Sequence, residues 1–349
     1  MNRSVYMNKK IVLLMIGLLV FVAGCGKKEE PVKKEDKKEE IKVEKKVEII
    51  DLESNSRPYA VVINNYPDAT KVQTGLNDAY IIYEMPIEGG MTRSLALYKD
   101  QKDVKIGTVR SARHDYLDYV LENDAIFVHF GWSKKAMQQI PQLGINNIDG
   151  NSADPSVFWR ENPRGLATEH TVYTNLSKID NYAKNTKKYR TTTDVKPSLN
   201  YVTKEVNLEK MEGSKVANTV ELNYSWSYKV KFSYNNETKK YDRYVNGSKH
   251  IDYFKNETFD TKNMIVLLID WGYVTEYADA AGNNYLDLNN TGKGKGYYIT
   301  NGYAKEITWE KEKRESKTIY KYADGTEVDI NDGNTYVMFQ SKSEGIIIK

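Results

Sequence analysis

The chain has 349 residues, a formal net charge of +3 and 40% hydrophobic residues, a composition typical of globular proteins. A net charge this close to zero gives no reason to expect nucleic acid as a partner. The chain contains one cysteine, Cys25, which excludes a disulfide bond within a single copy.

The first 25 residues have the pattern of a lipoprotein signal peptide. Three basic residues and no acidic residue precede an apolar run over residues 11–22, and Val-Ala-Gly-Cys follows, ending at Cys25. The run is too short for a spanning helix, which needs about 20 apolar residues. The cysteine resembles the lipobox of bacterial lipoproteins, which implies diacylglycerol on its thiol. We therefore expect a lipid anchor on the outer face of the cytoplasmic membrane.

Residues 26–56 are predicted to form a charged, disordered tether. Short blocks of lysine alternate with blocks of acidic residues, and few large apolar side chains are present to form a core. Because the opposite charges nearly balance, the segment is not a polybasic patch that would adhere to anionic lipid. Its expected role is to hold the folded part away from the membrane.

Residues 57–190 are predicted to form an N-terminal domain of mixed α/β layers. Apolar runs rich in β-branched and aromatic residues predict strands, and 3.6-residue periodicity predicts helices, the second of them with Ser133 as its N-cap. The predicted strands are residues 59–63, 80–85, 94–98, 106–110 and 125–130, and the predicted helices are residues 113–122, 133–143 and 176–187. Strands interleaved with helices are typical of layered domains.

Residues 191–214 are polar and are predicted to be a crossover into a C-terminal, β-rich domain over residues 215–349. Eight short strands separated by Asn-Gly and Asp-Gly turns indicate mostly antiparallel sheet, which makes the whole chain α+β. The predicted strands are residues 219–224, 228–234, 240–245, 264–269, 296–300, 304–309, 318–322 and 335–339. Residues 264–269 are apolar throughout and predict a buried central strand.

Three arginines close together in the chain indicate an anion site. Arg93 precedes one predicted strand, Arg110 ends the next, and Arg113 begins the following helix beside Ser111. If the two strands pair as a hairpin, both guanidinium groups lie at one end of the sheet, where they can grip phosphate or carboxylate. The alternative is that each arginine is paired internally with an acidic residue, the candidates being Glu84, Glu88, Asp115 and Asp118.

Further candidate site residues lie near these arginines. His129 lies near the end of an apolar strand, His170 lies in a loop after Arg160, and Asp115 follows the arginine motif. Ser111 and Arg160 are candidates for ligand binding together with the three arginines, and Asp115, His129 and His170 are candidates for acid–base roles. The sequence contains no recognisable metal-ligand motif or nucleophile motif, so no metal and no cofactor are expected.

Several of these segments together resemble one known family. They are Arg-Pro-Tyr-Ala-Val-Val-Ile-Asn-Asn at residues 57–65, Met-Thr-Arg-Ser at 91–94, Gly-Thr-Val-Arg-Ser-Ala-Arg at 107–113 and Val-His-Phe-Gly-Trp-Ser at 128–133. In these segments the chain is similar to the YerB-like lipoproteins of Gram-positive bacteria, and the likeness extends from Arg57 to the end. The resemblance implies a two-domain lipoprotein and supplies no activity.

Three functions remain open at this point. The first is an envelope lipoprotein that binds an anionic ligand or a protein partner at the arginines, without catalysis. The second is an enzyme acting on a cell-wall or polyprenyl-phosphate-linked substrate, since the placing of Arg93 and Arg110 is similar to that in the LytR-CpsA-Psr phosphotransferases. The third is a scaffold for envelope proteins in which the arginines are structural.

Overall fold

The computed structural model describes residues 46–101, 103–279 and 281–349. The predicted signal peptide, the lipidation of Cys25 and most of the predicted tether lie outside these residues. Within the described ranges, no helix is long and apolar enough to cross a membrane.

Residues 46–56 pack on the folded part, although the sequence predicted a tether over these positions. Ile50 is buried, and three other apolar residues of the segment pack against the core. The backbone N–H groups of Glu48 and Ile49 donate to the Asp332 carboxylate at 2.8 and 3.0 Å. The predicted end of the tether is therefore too late, because burial of these apolar side chains already orders the segment.

The first part of the described chain forms nine strands and three short α-helices. The strands are β1 (Tyr59–Asn64), β2 (Ile81–Pro86), β3 (Thr92–Tyr98), β4 (Lys105–Gly107), β5 (Ile126–His129), β6 (Asn147–Asp149), β7 (Phe158–Arg160), β8 (Val172–Asn175) and β9 (Asn200–Val202). The α-helices are α1 (Leu117–Glu122), α2 (Lys134–Gln142) and α3 (Leu176–Asn181). The predicted N-cap of α2 is confirmed, because the Ser133 hydroxyl accepts from Ala136 N at 3.3 Å.

The remaining part of the described chain is built almost entirely of strands. They are β10 (Lys215–Val216), β11 (Thr219–Asn223), β12 (Lys229–Asn235), β13 (Lys240–Val245), β14 (Ser248–Lys249), β15 (Asp260–Thr261), β16 (Asn263–Ile269), β17 (Trp271–Ala278), β18 (Asn284–Leu288), β19 (Gly292–Thr300), β20 (Tyr303–Lys311), β21 (Ile319–Lys321), β22 (Asp329–Asn331), β23 (Thr335–Ser341) and β24 (Ile347–Ile348).

Short helices of other types connect these elements. The 3-10 helices are Ala69–Val72, Leu76–Asp78, Glu88–Gly90, His114–Tyr116, Thr168–His170 and Leu208–Lys210, and a π-helical segment, Tyr182–Thr186, continues α3. The predicted helix over residues 113–122 thus begins as a 3-10 turn, and only its second part is α-helical.

One mixed sheet takes strands from both parts of the chain. Its eleven strands run in the order β10-β20-β19-β16-β23-β2-β3-β1-β5-β6, with β21 paired to β20. Strand β23, close to the end of the chain, lies between β2 and β16 and is parallel to both. Backbone hydrogen bonds between β2 and β23 therefore join the two parts of the chain in one ladder.

Strand β16 confirms the predicted central strand. Ile265 and Leu267 face one buried cluster of apolar side chains, and Met264 and Val266 face the other. Successive side chains of a strand point to opposite faces, so a strand covered on both sides must be apolar at every position. The sheet therefore has a core on each face.

The remaining strands form smaller sheets. Strands β14-β13-β12-β11-β24, with β15 beside β13, form an antiparallel sheet, and β4-β8-β7 form another. Strands β22 and β9 form a parallel pair, and β17 and β18 form a separate two-stranded hairpin. We call residues Trp271–Leu288, without Ala280, the hairpin arm.

The fold class predicted from the sequence is supported only in part. Strands dominate both parts of the chain, helices are few and short, and the predicted helical layer of the first part is small. The predicted hairpin between the strands of Arg93 and Arg110 is wrong, because β3 lies between β1 and β2 while β4 pairs with β8.

Candidate functional site

Arg93 and Arg110 meet at the carboxyl end of β1 rather than across a hairpin. Arg93 lies opposite Asn64 in the β1–β3 ladder. On the other side, Val109 bridges Ile63, and the Arg110 backbone N–H donates to a β1 carbonyl at 2.9 Å. The last residues of β1 thus hold both arginines at one end of the large sheet.

A hollow of about 210 Å³ lies at this end of the sheet, and we call it the arginine hollow. The side chains that line it come from the ends of β1 and β3, from the Glu88–Gly90 turn, from the loop that carries His170 and from the hairpin arm. They include Asn64, Tyr66, Glu88, Met91, Thr92, Arg93, Arg110, His170, Asp279 and Asn283.

Arg93 is a buried cation with few acceptors. Its Nη1 donates to the backbone carbonyl of Ser111 at 2.6 Å, while its Nη2 lies 4.0 Å from a Glu88 carboxylate oxygen. Its Nε is buried and has no hydrogen-bond partner among the described residues. Burial, together with the nearby charge of Arg113, lowers the pKa of Arg93 to about 9. The environment therefore leaves this guanidinium short of negative charge.

Arg113 is closed into an ion pair with Glu88. Its Nε donates to Glu88 Oε2 at 2.9 Å, its Nη2 donates to Oε1, and its Nη1 donates to the Ala112 carbonyl at 3.0 Å. Its guanidinium packs over the ring of Tyr285 in the hairpin arm. Although burial opposes the charged form, the Glu88 carboxylate raises the pKa of Arg113. The internal pairing considered from the sequence is therefore found at Arg113, and Arg93 makes only a longer contact with the same carboxylate.

Arg110 differs from the other two arginines. Its side chain is half-buried, and no described residue lies within hydrogen-bond or ion-pair distance of its guanidinium. Burial lowers the pKa of Arg110, and the charge of Glu169 opposes that effect. Arg110 is therefore a cation in a concave site with its donors unused.

Arg110 also lines a second, more open hollow of about 510 Å³, which we call the outer hollow. Ser111, Trp132, Arg160 and Glu169 line it as well. Arg160 packs over the ring of Phe130, and its Nη1 donates to the Thr168 carbonyl and to the Thr171 hydroxyl. Arg110 therefore lines both hollows.

His170 presents one ring nitrogen to its neighbours and keeps the other free. The Asn64 side-chain oxygen accepts from Tyr66 N at 3.1 Å, so the Asn64 Nδ2 donates to His170 Nδ1 at 2.8 Å. The ring stacks on Tyr66 with centroids 4.8 Å apart. Burial and the nearby Arg110 lower the pKa of His170. In its neutral form, His170 therefore carries its proton on Nε2, a spare donor beside the arginine hollow.

His129 lies apart from both hollows and has the contacts of a structural residue. The side chain is completely buried. Its Nδ1 donates to the Gly131 carbonyl at 2.8 Å, and its Nε2 accepts from Asn147 Nδ2 at 3.1 Å. Burial lowers the pKa of His129 to about 4. Both nitrogens are thus used inside the protein.

Asp115 also points away from the hollows, toward the base of the hairpin arm. Its Oδ1 accepts from Leu288 N at 2.9 Å. Its neighbour His114 lies 2.8 Å from the Asp287 carboxylate, which Lys135 also contacts at 2.8 Å. Burial raises the pKa of Asp115 to about 8. Asp115 thus connects the hairpin arm to the rest of the protein through a hydrogen bond.

His114, Asp115 and Asp287 form a group whose donor atoms lie within 4.8 Å of one another, close enough to hold a metal ion. The sequence did not predict this group, because Asp287 is remote from the other two in the chain. Lys135 already neutralises Asp287, and His114 Nδ1 is buried without a partner among the described residues. A metal-binding histidine ordinarily donates through its second nitrogen. We therefore assign no metal here.

The residues that the hairpin arm brings to the site were not predicted from the sequence. Asp279 and Asn283 line the arginine hollow, and Tyr285 covers Arg113. Strand β17 is mostly exposed, so it shows no alternation of apolar and polar residues that would have predicted its place. The nearest sequence signal was the Gly89-Gly90 pair, which marks the turn that bears Glu88.

Comparison with known proteins gives a consistent family assignment. Residues 47–190 match the model described as "Protein of unknown function (DUF3048) N-terminal domain", and residues 220–337 match the corresponding C-terminal domain. The protein named "Putative lipoprotein YerB" from Bacillus subtilis is 28% identical over 290 residues, which is 80% of each chain.

A solved structure agrees with the sequence relatives. The crystal structure of the YerB protein from Bacillus subtilis is similar with a TM-score of 0.71 and 26% identity, and the match covers 84% of this chain and 94% of that one. The arginine motif, both domain models and the similarity in fold lead to the same conclusion. The chain belongs to the YerB-like lipoprotein family.

Proposed function

We propose that this protein is an envelope lipoprotein, held on the outer face of the cytoplasmic membrane by lipid on Cys25. In this proposal, the arginine hollow and the outer hollow bind a phosphate- or carboxylate-bearing ligand of the envelope, or an acidic group of a protein partner. The free guanidinium of Arg110 carries the proposal.

The feature that supports anion binding is unused positive charge in a concave site. Glu88 pairs with Arg113, so Arg93 is short of acceptors, and Arg110 has no ion pair within the part of the chain that the structure describes. A guanidinium presents a planar fork of donors that fits phosphate or carboxylate, and a partly enclosed site weakens the screening of its charge. His170 Nε2 and the nearby Arg160 add further donors around the same opening.

Binding is favoured over catalysis by the positions of the candidate acid–base groups. Asp115 and His129 are held in internal contacts away from the hollows. Of the three, only His170 lines the arginine hollow. A lone neutral histidine beside arginines provides a donor for an anion, whereas acid–base chemistry on an envelope substrate ordinarily needs a positioned partner as well.

A ligand-stabilisation screen tests this proposal. Residues 45–349 form a separate compact unit, so the chain beginning at residue 45 is a suitable protein. We expect inorganic phosphate, pyrophosphate or a dicarboxylate to raise its melting temperature in a concentration-dependent way. The shift should be largely lost in Arg110→Gln and kept in Arg164→Gln, since Arg164 is an exposed arginine that lines neither hollow. No shift with any of these anions would favour the scaffold function instead.

A further inference from the structure

A third hollow adjoins the arginine hollow, and its walls are aromatic. We call it the aromatic groove. It has a volume of about 400 Å³ and lies between the Glu88–Gly90 turn, the hairpin arm and the end of β11. Its lining includes Met91, Tyr224, Trp271, Tyr273 and Leu286. Tyr273 is 62% exposed, which is unusual for a large aromatic side chain in a strand.

The aromatic groove and the arginine hollow share a wall. Ile87, Glu88, Gly89, Met91 and Asn283 line both. Gly89 has φ +73, and a Cβ built there would meet nothing within 4 Å. No side chain therefore stands on the turn at this position, and one elongated ligand can lie along both hollows.

We propose that the ligand of this protein is a phosphorylated carbohydrate. This inference rests on the proposed anion site: the phosphate group is bound by Arg110 and Arg93, and the sugar lies in the aromatic groove against Tyr273 and Trp271. The ligand crosses from one hollow to the other beside Gly89.

The lining of the groove suits a sugar better than an acyl chain. A pyranose ring has apolar C–H faces and a rim of hydroxyls, so it needs flat apolar surfaces together with hydrogen-bonding groups. The groove offers the rings of Trp271 and Tyr273 and, beside them, the side-chain amides of Asn283 and Asn284. An acyl chain would leave these polar groups without partners, which is costly.

The test compares a sugar phosphate with its two parts by calorimetric titration of the chain from residue 45. The probes are N-acetylglucosamine 1-phosphate, glucose 1-phosphate, the two free sugars and inorganic phosphate. We expect at least one sugar phosphate to bind about ten-fold more tightly than phosphate, because the aromatic contact adds favourable energy. The free sugars should bind weakly.

Two variants locate the sugar. Tyr273→Ala removes an exposed ring, and Gly89→Asn places a side chain on the shared wall; asparagine tolerates the left-handed backbone found there. Both should reduce the affinity for the sugar phosphate to about that for phosphate, and Tyr273→Ala, which lies outside the arginine hollow, should leave the affinity for phosphate unchanged. Tyr244→Ala, in the sheet formed by β11 to β15 and β24, is the matched control and should change neither.

The outcomes separate this inference from the proposed function. If phosphate binds and both sugar phosphates bind no more tightly, the anion site stands and the carbohydrate inference is wrong. The same conclusion holds if Tyr273→Ala and Gly89→Asn leave the affinity for sugar phosphate unchanged. If neither phosphate nor sugar phosphate binds, the anion site itself is overturned, and the carbohydrate inference with it.

Discussion

Arg243 Nη2 donates to both carboxylate oxygens of Glu84, at 3.0 and 2.9 Å. The two side chains are 1% and 0% exposed. Glu84 lies in β2 and Arg243 in β13, so this ion pair connects the first part of the chain with the last. The hydroxyls of Thr92 and Tyr228 also donate to Glu84. Two buried charges are tolerated because each is the counter-ion of the other and because several donors surround the Glu84 oxygens.

Arg243→Met should destabilise the protein strongly, because it leaves the Glu84 carboxylate buried without its cation. Loss of one member of a buried pair costs about 3–5 kcal/mol of unfolding free energy. The double variant Glu84→Gln with Arg243→Met removes both charges and should lose less than the single variant. Urea unfolding followed by circular dichroism measures the double variant and the two single variants, Arg243→Met and Glu84→Gln. A double variant that loses as much as the sum of the two singles would show that the charges do not interact.

Glu88→Gln should strengthen anion binding while weakening the fold. The change removes the acceptor of Arg113 and the carboxylate nearest to Arg93, so two guanidinium groups gain unused positive charge beside the arginine hollow. We expect the affinity for inorganic phosphate to rise several-fold and the unfolding free energy to fall by about 1–3 kcal/mol.

Asp118→Asn is the matched control for this change. It removes the same charge from a carboxylate that pairs with Arg314 and lines neither hollow. Its affinity for phosphate should stay at the native value. If both variants change the affinity equally, the effect belongs to net charge and not to Glu88.

The stability of the protein should fall as the pH rises above neutrality, and Asp115 should be the main cause. Its pKa is raised from about 4 to about 8 by burial, so between these values the folded state holds a proton that the unfolded state has lost. The contribution of this group to the unfolding free energy is fully present below about pH 4 and is lost as the pH rises through about 8.

Unfolding free energies at pH 6.5 and pH 8 isolate this effect. The four histidines have lowered pKa values, so the loss of protons from the unfolded state raises stability over the same interval, and it does so equally in the native protein and in an Asp115 variant. We expect the native protein to lose about 2 kcal/mol relative to Asp115→Asn between the two pH values, and asparagine can still accept from Leu288 N. Equal pH dependence of the two proteins would contradict the assignment.

The sequence predicted the local elements better than their arrangement. Strands such as β12 and β13, with alternating burial and an Asn-Gly turn nearby, carry their pattern within a few residues. The position of β23 between β2 and β16 could not be predicted, because it depends on pairing between segments remote in the chain. The same holds for the partner of Glu84, which is Arg243 and not a neighbouring arginine.

For the candidate site, too, local features could be predicted from the sequence and contacts between remote segments could not. The motif around Arg110 drew attention to the correct end of the sheet, although the expected hairpin was wrong. Glu88 neutralises Arg113 and does not neutralise Arg110. This difference depends on side-chain geometry, which the spacing of residues in the sequence does not predict. The aromatic groove was missed because Trp271, Tyr273 and Tyr224 are far from the arginines in the chain.

The central claim is that Arg110 offers unused donors to an anion in a solvent-reachable hollow. Calorimetric titration of inorganic phosphate into the native chain from residue 45, and into Arg110→Gln, tests it most directly. A charge-assisted hydrogen bond contributes about 1.5–3 kcal/mol, so the native protein should bind phosphate about ten-fold or more tightly than the variant. No binding by the native protein, or equal binding by both proteins, would contradict the claim.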